Sequence, residues 1–279
     1  MATVADLKLE IEDAVTLKLI SSAFTEASAA RVQKIKHQFE TNRQFYDEIS
    51  HVYHLVRVSG KTPSVGDKKQ KIKQEKTLSV AVTSNQRFYG NLNVNIMHGF
   101  VDAIERAQTD VLVIGGTGRD FMRSSGWAKP YEQMTFLHDA PSKEETQQFL
   151  DKIMPYDTVM VYYPKFVSLV TQSVGIIDIT QAVSTTQKTP EDEIHILFEP
   201  EFDKILAFFQ RQVRNLLFAH VMLEADLSRT AARLITMSSA EERSNELIKK
   251  KKSEFRKIQM SLANAKLLET FSGMGKWKK

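Results

Sequence analysis

FEPEFDKILAFFQRQVRNLLFAHVMLEADLSRTAARLITMSSAEERSNELIKKKKSEFRKIQMSLANAKLLETFSG, residues 198–273, has no proline after Pro200 and no glycine before Gly273. Ala, Leu, Glu, Lys and Arg dominate it, all good helix formers. A seam that steps by threes and fours, as in one continuous helix, includes Leu206, Val213, Leu217, Leu227, Leu234, Ile248, Phe255, Leu262 and Ala265. At ~1.5 Å per residue that helix is roughly 100 Å long, whereas a globular helix has ~11–12 residues. It must therefore pair with another long helix or enter another protein. Mid-seam, Ser238, Glu241 and Asn245 stand where a tight zipper takes leucine. They fit either a register-setting polar patch or a shaft that is gripped loosely.

The partner is at the other end of the chain. Residues 5–57 also lack proline and glycine, and apolar side chains recur at Leu7, Ile11, Val15, Leu19, Phe24, Ala27, Val32, Ile35, Phe39, Tyr46, Ile49, Val52 and Val56. Ala27, Ala29 and Ala30 are small enough for close helix approach. Two long terminal helices pair most economically as an antiparallel coiled coil, which makes the middle of the chain an inserted domain.

That middle changes period. SGKTPSVGDKKQKIKQEK (59–76) is a lysine-rich polar linker. LSVAVTS (78–84) and TDVLVIGG (109–116) read as buried strands around the amphipathic helix NVNIMHGFVDAIERAQ (93–108), the pattern of a right-handed parallel crossover. A short strand at 131–137 and a helix at 141–154 follow, the helix opened by a Ser142/Glu145 capping box. DTVMVYYPKF (157–166) is a strong strand and SLVTQSVGIIDI (168–179) a further extended pair. The expected architecture is α/β plus a long coiled coil, the α/β part an open, Rossmann-like domain. Its segments are a shaft helix at 1–57, a basic linker at 58–76, the α/β domain at 77–197, a second shaft helix at 198–273 and a tail at 274–279.

Composition narrows the function. At 279 residues, with 42% hydrophobic and 26% charged, the chain is of globular class and can hold one or two domains. It has no cysteine, which excludes disulfides and thiolate metal sites and suits a reducing compartment. A net charge of +4 is too mild to argue for nucleic acid. Neither a bilayer-spanning apolar run nor a secretory leader is visible.

Candidate chemistry is thin. Gly60-Lys61-Thr62 mimics the end of a phosphate loop, but Leu55 replaces the required upstream glycine and a helix precedes it. Gly115-Gly116-Thr117-Gly118 lacks the dinucleotide spacing and an acidic ribose partner, so a turn that uses glycine for positive φ accounts for it better. His51 and His54 stand one turn apart with no carboxylate to complete a metal site. Glu191, Asp192 and Glu193 read as solvated loop acids, and Glu241 and Glu242 as surface or interface charges. No catalytic residue, cofactor site or metal site is assigned, and the chain reads as a mechanical or binding protein.

Several ordered stretches resemble one family, the γ subunit of F-type rotary ATP synthases. TSNQRFYGNLN (83–93) is similar to the family's TSDRGLCGGLN, and VIGGTGRDFMR (113–123) to its IGRKGRDFF. FVSLVTQ (166–172) resembles F-x-S-x-x-x-Q. LFEP (197–200) with LEADLSRTAARLITM (223–237) resembles FEP and LLESxASExAARMxAM, and ETFSGMG (269–275) resembles EIVSGA. Departures are Arg87 and Tyr89 for glycine and cysteine, Arg229 for glutamate, and the segment Gln259, Met260, Ala263, Asn264, Ala265, Lys266 for RQxxITQE. The N-terminal family pattern survives only as Thr16, Lys18, Leu19 and Ala27. The departures imply a divergent member, of the kind carried beside a main enzyme.

The resemblance implies a central rotor shaft that couples ion-driven rotation of the membrane ring of c subunits to the catalytic β subunits. It implies contacts with the ring of α and β subunits through Thr16, Lys18, Arg233, Met237, Gln259, Leu262, Asn264 and Lys266. It places Phe198, Glu199, Gly90 and Asn93 toward the c ring and the ε subunit. Membrane contact is then indirect, at the cytoplasmic face of a bacterial inner membrane. The rival readings are a ligand- or nucleotide-binding α/β protein with a coiled-coil arm, and the stalk of an export ATPase. The inserted α/β domain opposes the latter.

Overall fold

The computed structural model describes residues 4–59, 76–107, 109–180 and 202–276. Its elements in chain order are α1 (Val4–Ser59), β1 (Thr77–Val82), α2 (Leu92–Arg106), β2 (Asp110–Ile114), α3 (Gly116–Ser124), β3 (Glu132–Met134), α4 (Lys143–Ile153), β4 (Thr158–Phe166), β5 (Gln172–Asp178) and α5 (Phe202–Lys276). They fall into two compact units: Met1–Ala29 with Arg233–Lys279, and Ala30–Ala232.

The second unit is built on a five-stranded sheet ordered β3-β2-β1-β4-β5. The first four strands are parallel, and β5 runs antiparallel to β4. Alternation along the strands sends Leu78, Val80, Val82, Leu112, Ile114, Val159 and Val161 to one face, against α4 and the Val213–Ala225 part of α5. Ala81, Val111, Val113 and Tyr162 go to the other face, against α2 and α3. Strands covered on both sides are near-continuous apolar runs, which is why β1, β2 and β4 stand out in the sequence. Phe149 of α4 and Phe218 of α5, both fully buried, stack at 4.0 Å between ring centres. Each contributes roughly 1.5–3 kcal/mol by leaving water.

Two elements differ from the expectation. The stretch after β2 is helix α3, hidden in the sequence by its GTG opening and its short length. The extended pair expected at 168–179 is one strand, β5. Its first residues instead turn tightly, with Ser168 N donating to Thr171 O, and Val167, Leu169 and Val170 are exposed at that turn. The capping box is present as expected: Glu145 N donates to Ser142 Oγ, and Ser142 N to the Glu145 carboxylate.

In the same unit α1 and α5 are antiparallel. As α1 advances from Arg31 to Phe39, its neighbour on α5 recedes from Asp226 to His220. Val32 and Ile35 bury against Leu227.

The first unit is the coil alone. Glu10 pairs with Lys251, and Leu17 faces the Ile235–Leu247 part of α5, again antiparallel. The buried α1 positions are Leu7, Ala14, Ser21 and Ser28, a strict seven-residue step that imposes a left-handed supercoil. On α5 they are Met237, Ser244 and Ile248. Leu7 and Ile248 are buried as the sequence pattern expects, but elsewhere both seams are shifted from its apolar residues. Val15, Leu19, Phe24 and Ala27 are exposed and small residues take the interface; Ser238 is exposed and Ser244 is buried. The heptad phase is set by Leu7 with Ile11 and is resumed at Val32 and Ile35, so apolar residues between those anchors that miss the phase turn outward.

Candidate functional site

In a doubly wound sheet, ligands bind at the carboxyl ends of the strands, where the strand order reverses. Here that point lies between β1 and β4. The turn after β2 sits at this edge, with Gly115 at φ +100°, so the glycine reading by positive φ holds. Its donors are already taken. Gly116 N donates to Asn85 Oδ1 (2.8 Å), Thr117 N to Ser84 O (3.0 Å) and Gly118 N to Thr83 Oγ1 (3.0 Å). A Cβ on Gly118 would stand 2.7 Å from both Thr83 Oγ1 and Val113 Cγ1. These glycines let the chain close on itself, and the helix start offers a phosphate nothing to bind.

The rest of the edge is filled from within. Asn85 Nδ2 donates to Phe136 O (2.7 Å). The Asp139 carboxylate accepts from Asn85 N (2.8 Å) and from the Tyr89 hydroxyl (2.6 Å). Arg229 of α5 reaches Asp139 O through Nη2 (2.9 Å). One turn earlier on α5, Asp226 takes both of its oxygens to Arg31 Nη2 of α1, at 3.1 and 3.0 Å. Burial pulls the Arg31 pKa down, but the Asp226 charge and hydrogen bond outweigh it and leave it above the ordinary arginine value.

At the end of β4, buried Glu224 of α5 accepts from Phe166 N (3.3 Å) and from the Tyr163 hydroxyl. Burial raises its pKa against those bonds and against the charges of Lys165 and Arg43. Burial also raises the Tyr163 pKa. His220, a turn before Glu224, stacks on Phe39 at 4.8 Å. Its pKa is lowered by burial and then by Arg43, with Asp47 opposing.

The apolar surface lies elsewhere. Leu17, Ile20 and Phe24 of α1 are exposed at helical spacing, and Leu17 helps line a groove of ≈ 500 Å³ with Ile235, Ala240 and Leu247 of α5. With Glu10 opposite Lys251, α5 runs on past Val4, where α1 begins. Every residue from Gln259 to Ser272 is exposed, among them Met260, Leu262, Leu267, Leu268 and Phe271. An apolar run of this size on a protein surface marks an interaction site.

The residues singled out by resemblance are thereby located. Gln259, Leu262, Asn264 and Lys266 share the exposed end of α5. Thr16 is exposed on α1, with Oγ1 donating to Glu12 O, and Lys18 and Arg233 are half-buried. Met237 is buried in the seam. Gly90 (φ 56°) is exposed beside Phe88, which holds the one positive non-glycine φ among the described residues, 72°. Asn93 donates to Ser84 Oγ. Phe198, Glu199 and the Gly60–Thr62 motif lie outside the described residues, as do the side chains of His51 and His54. Among the described residues no His, Asp or Glu cluster suits a metal, and no helix is long and apolar enough to cross a membrane.

A family model described as ATP synthase matches residues 3–275. The chain belongs to the ATP synthase family. It is 22% identical over 285 residues to the ATP synthase gamma chain of an Exiguobacterium species, with 98% of each chain covered. It is 24% identical over 258 residues to that of Desulforamulus reducens, with 90% of each covered. Among solved structures it shares the fold of a chain of the Euglena gracilis mitochondrial ATP synthase, in a structure of the OSCP, F1 and c-ring assembly (TM-score 0.56, 16% identity, 88% of this chain and 94% of that one). It also shares the fold of a chain in the central stalk and c-ring structure of the Tetrahymena thermophila enzyme (TM-score 0.59, 16% identity, 79% and 99%). This is the expected coiled coil with an α/β domain. As a gamma-type chain of the ATP synthase family it is a non-catalytic subunit of that complex.

Proposed function

We propose that the chain turns as the central shaft of a rotary ATP synthase, with the exposed end of α5 inside the ring of α and β subunits. The observation that carries this reading is the run of exposed apolar residues from Met260 to Phe271, which continues beyond the helix pair and calls for a protein sleeve. The outward-facing Leu17, Ile20 and Phe24 extend the same demand along α1. Thr16, Lys18, Arg233, Gln259, Leu262, Asn264 and Lys266 belong to the ring-facing part, whereas Met237, expected there too, is buried in the seam of the helix pair. Phe198, Glu199, Gly90 and Asn93 belong to the end toward the ε subunit and the ring of c subunits. The chain then works at the cytoplasmic face of a bacterial inner membrane and touches the membrane only through the c ring.

An asymmetric helix pair touches three catalytic sites differently, and only such a difference in contact energy can shift their equilibria as it turns. Ala14, Ser21, Ser28 and Ser244 narrow the seam where they stand, and Leu17, Ile20 and Phe24 are left for the sleeve. Replacing Leu262 and Ala265 with aspartate in the full chain is expected to cut recovery of the assembled complex or its coupling, while circular dichroism and the melt of the α/β domain stay as in the parent. Undiminished assembly and coupling would contradict insertion of this end.

A further inference from the structure

Arg229 is the largest of the fully buried side chains. Nη2 donates to a backbone carbonyl, and Nε and Nη1 have no hydrogen-bond partner among the described residues. A guanidinium taken wholly out of water for one hydrogen bond is a poor source of stability, because a well-packed apolar residue in its place is often as good or better. Such a group is better suited to fixing a geometry. The carbonyl it grips belongs to Asp139, whose carboxylate holds Asn85 N and the Tyr89 hydroxyl. Asn85 in turn holds Gly116 N and Phe136 O. A single side chain of α5 is therefore the head of a hydrogen-bond chain reaching the loops after β1, β2 and β3. Asp226, one turn away, brings in α1 through Arg31.

We propose that Arg229 is a positioning residue that keys α5 to the carboxyl edge of the sheet, so that helix and α/β domain turn as one body. The torque role rests on the shaft reading above; the keying itself does not. Arg229→Met keeps the volume, and the Asp139 carboxylate keeps both of its donors, so the fold is retained. Hydrogen exchange on the full-length chain is expected to speed on the order of tenfold at the amides of 85–90 and 137–140, through cheaper local opening. Amides of β1 are expected to stay unchanged. Arg229→Lys, which restores the charge and one donor, is expected to recover most of the protection.

In the assembled complex, ions pumped per ATP hydrolysed are expected to fall in Arg229→Met while ATP hydrolysis persists, a split that general destabilisation does not produce. Loop exchange equal to the parent's would overturn the keying. Faster exchange with unaltered coupling would overturn the torque role. If Arg229→Met fails to assemble, exchange on the free chain and coupling in Arg229→Lys, expected slightly below the parent's, decide the same two points. Failure of the unmodified chain to enter any ATPase complex would count against the shaft reading alone and leave the exchange result standing.

Discussion

The sheet edge and the free coil solve opposite problems. At the edge, Thr83, Ser84, Asn85, Tyr89 and Asp139 bond to one another or to the neighbouring backbone, Arg229 adds one donor from α5, and Gly115 and Gly118 allow backbone contact with no room for a Cβ. Along the coil the seam sets Ala14, Ser21, Ser28 and Ser244 among Leu7, Met237 and Ile248, while Leu17, Leu19, Ile20 and Phe24 look outward. The first region is finished within the chain. The second turns Leu17, Leu19, Ile20 and Phe24 outward, a division of labour that suits the proposed shaft. One end must hold a load without slipping, and the other must slide in a sleeve without locking into close-packed wells.

The contrast can be broken most forcefully at Gly115. Alanine there combines φ +100° with a Cβ 2.7 Å from Thr83 Oγ1 and 2.9 Å from Thr83 O. The expected cost is about 3 kcal/mol in a urea melt of the full chain. A loss below about 1 kcal/mol would mean that the edge is looser than described.

Arg31 sharpens it next. Its side chain is half exposed, but Asp226 is nearly buried, so Arg31→Met strands a carboxylate. The expected cost is roughly 1–2 kcal/mol, between the values for surface and buried pairs. Arg31→Met with Asp226→Asn together should recover part of it. Additive losses in that cycle would show that the two groups do not act as a pair.

The smallest effect is a pH profile. Glu224 has a folded pKa above its unfolded one, so the folded state binds the extra proton and stability rises as pH falls through that interval. His220 has a folded pKa below its unfolded one, so stability is lost as pH falls below the ordinary histidine value. Glu224→Gln, which keeps an acceptor for Phe166 N, is expected to raise the neutral-pH melting temperature and leave only the histidine limb. His220→Phe is expected to remove that limb. Parallel profiles for parent and variants from pH 4 to 8 would rule out both assignments.

The long helices were legible because nothing in either stretch breaks a helix, and β1, β2 and β4 because strands buried on both faces are runs of apolar residues. Helix α3 was not, since Gly116 and Gly118 read as a turn and the helix is short. The seam phase was missed for a physical reason: apolar residues normally mark the buried face, and here Val15, Leu19 and Phe24 are kept for the outside. The expected ring contacts came from family resemblance rather than from periodicity. The Arg229–Asp139 contact joins positions 90 residues apart and Arg31–Asp226 positions 195 apart, distances over which no local pattern carries information. The one hint was Arg229 itself, a positive charge inside the LEADLSRTAAR stretch where the pattern it resembles has glutamate.

The central claim is tested most directly by purifying the tagged full-length chain from its own membranes in mild detergent, identifying what accompanies it and assaying ATPase activity. The account predicts α, β, ε and c subunits in one active complex. Recovery of the chain alone, monomeric and without ATPase activity, would contradict it.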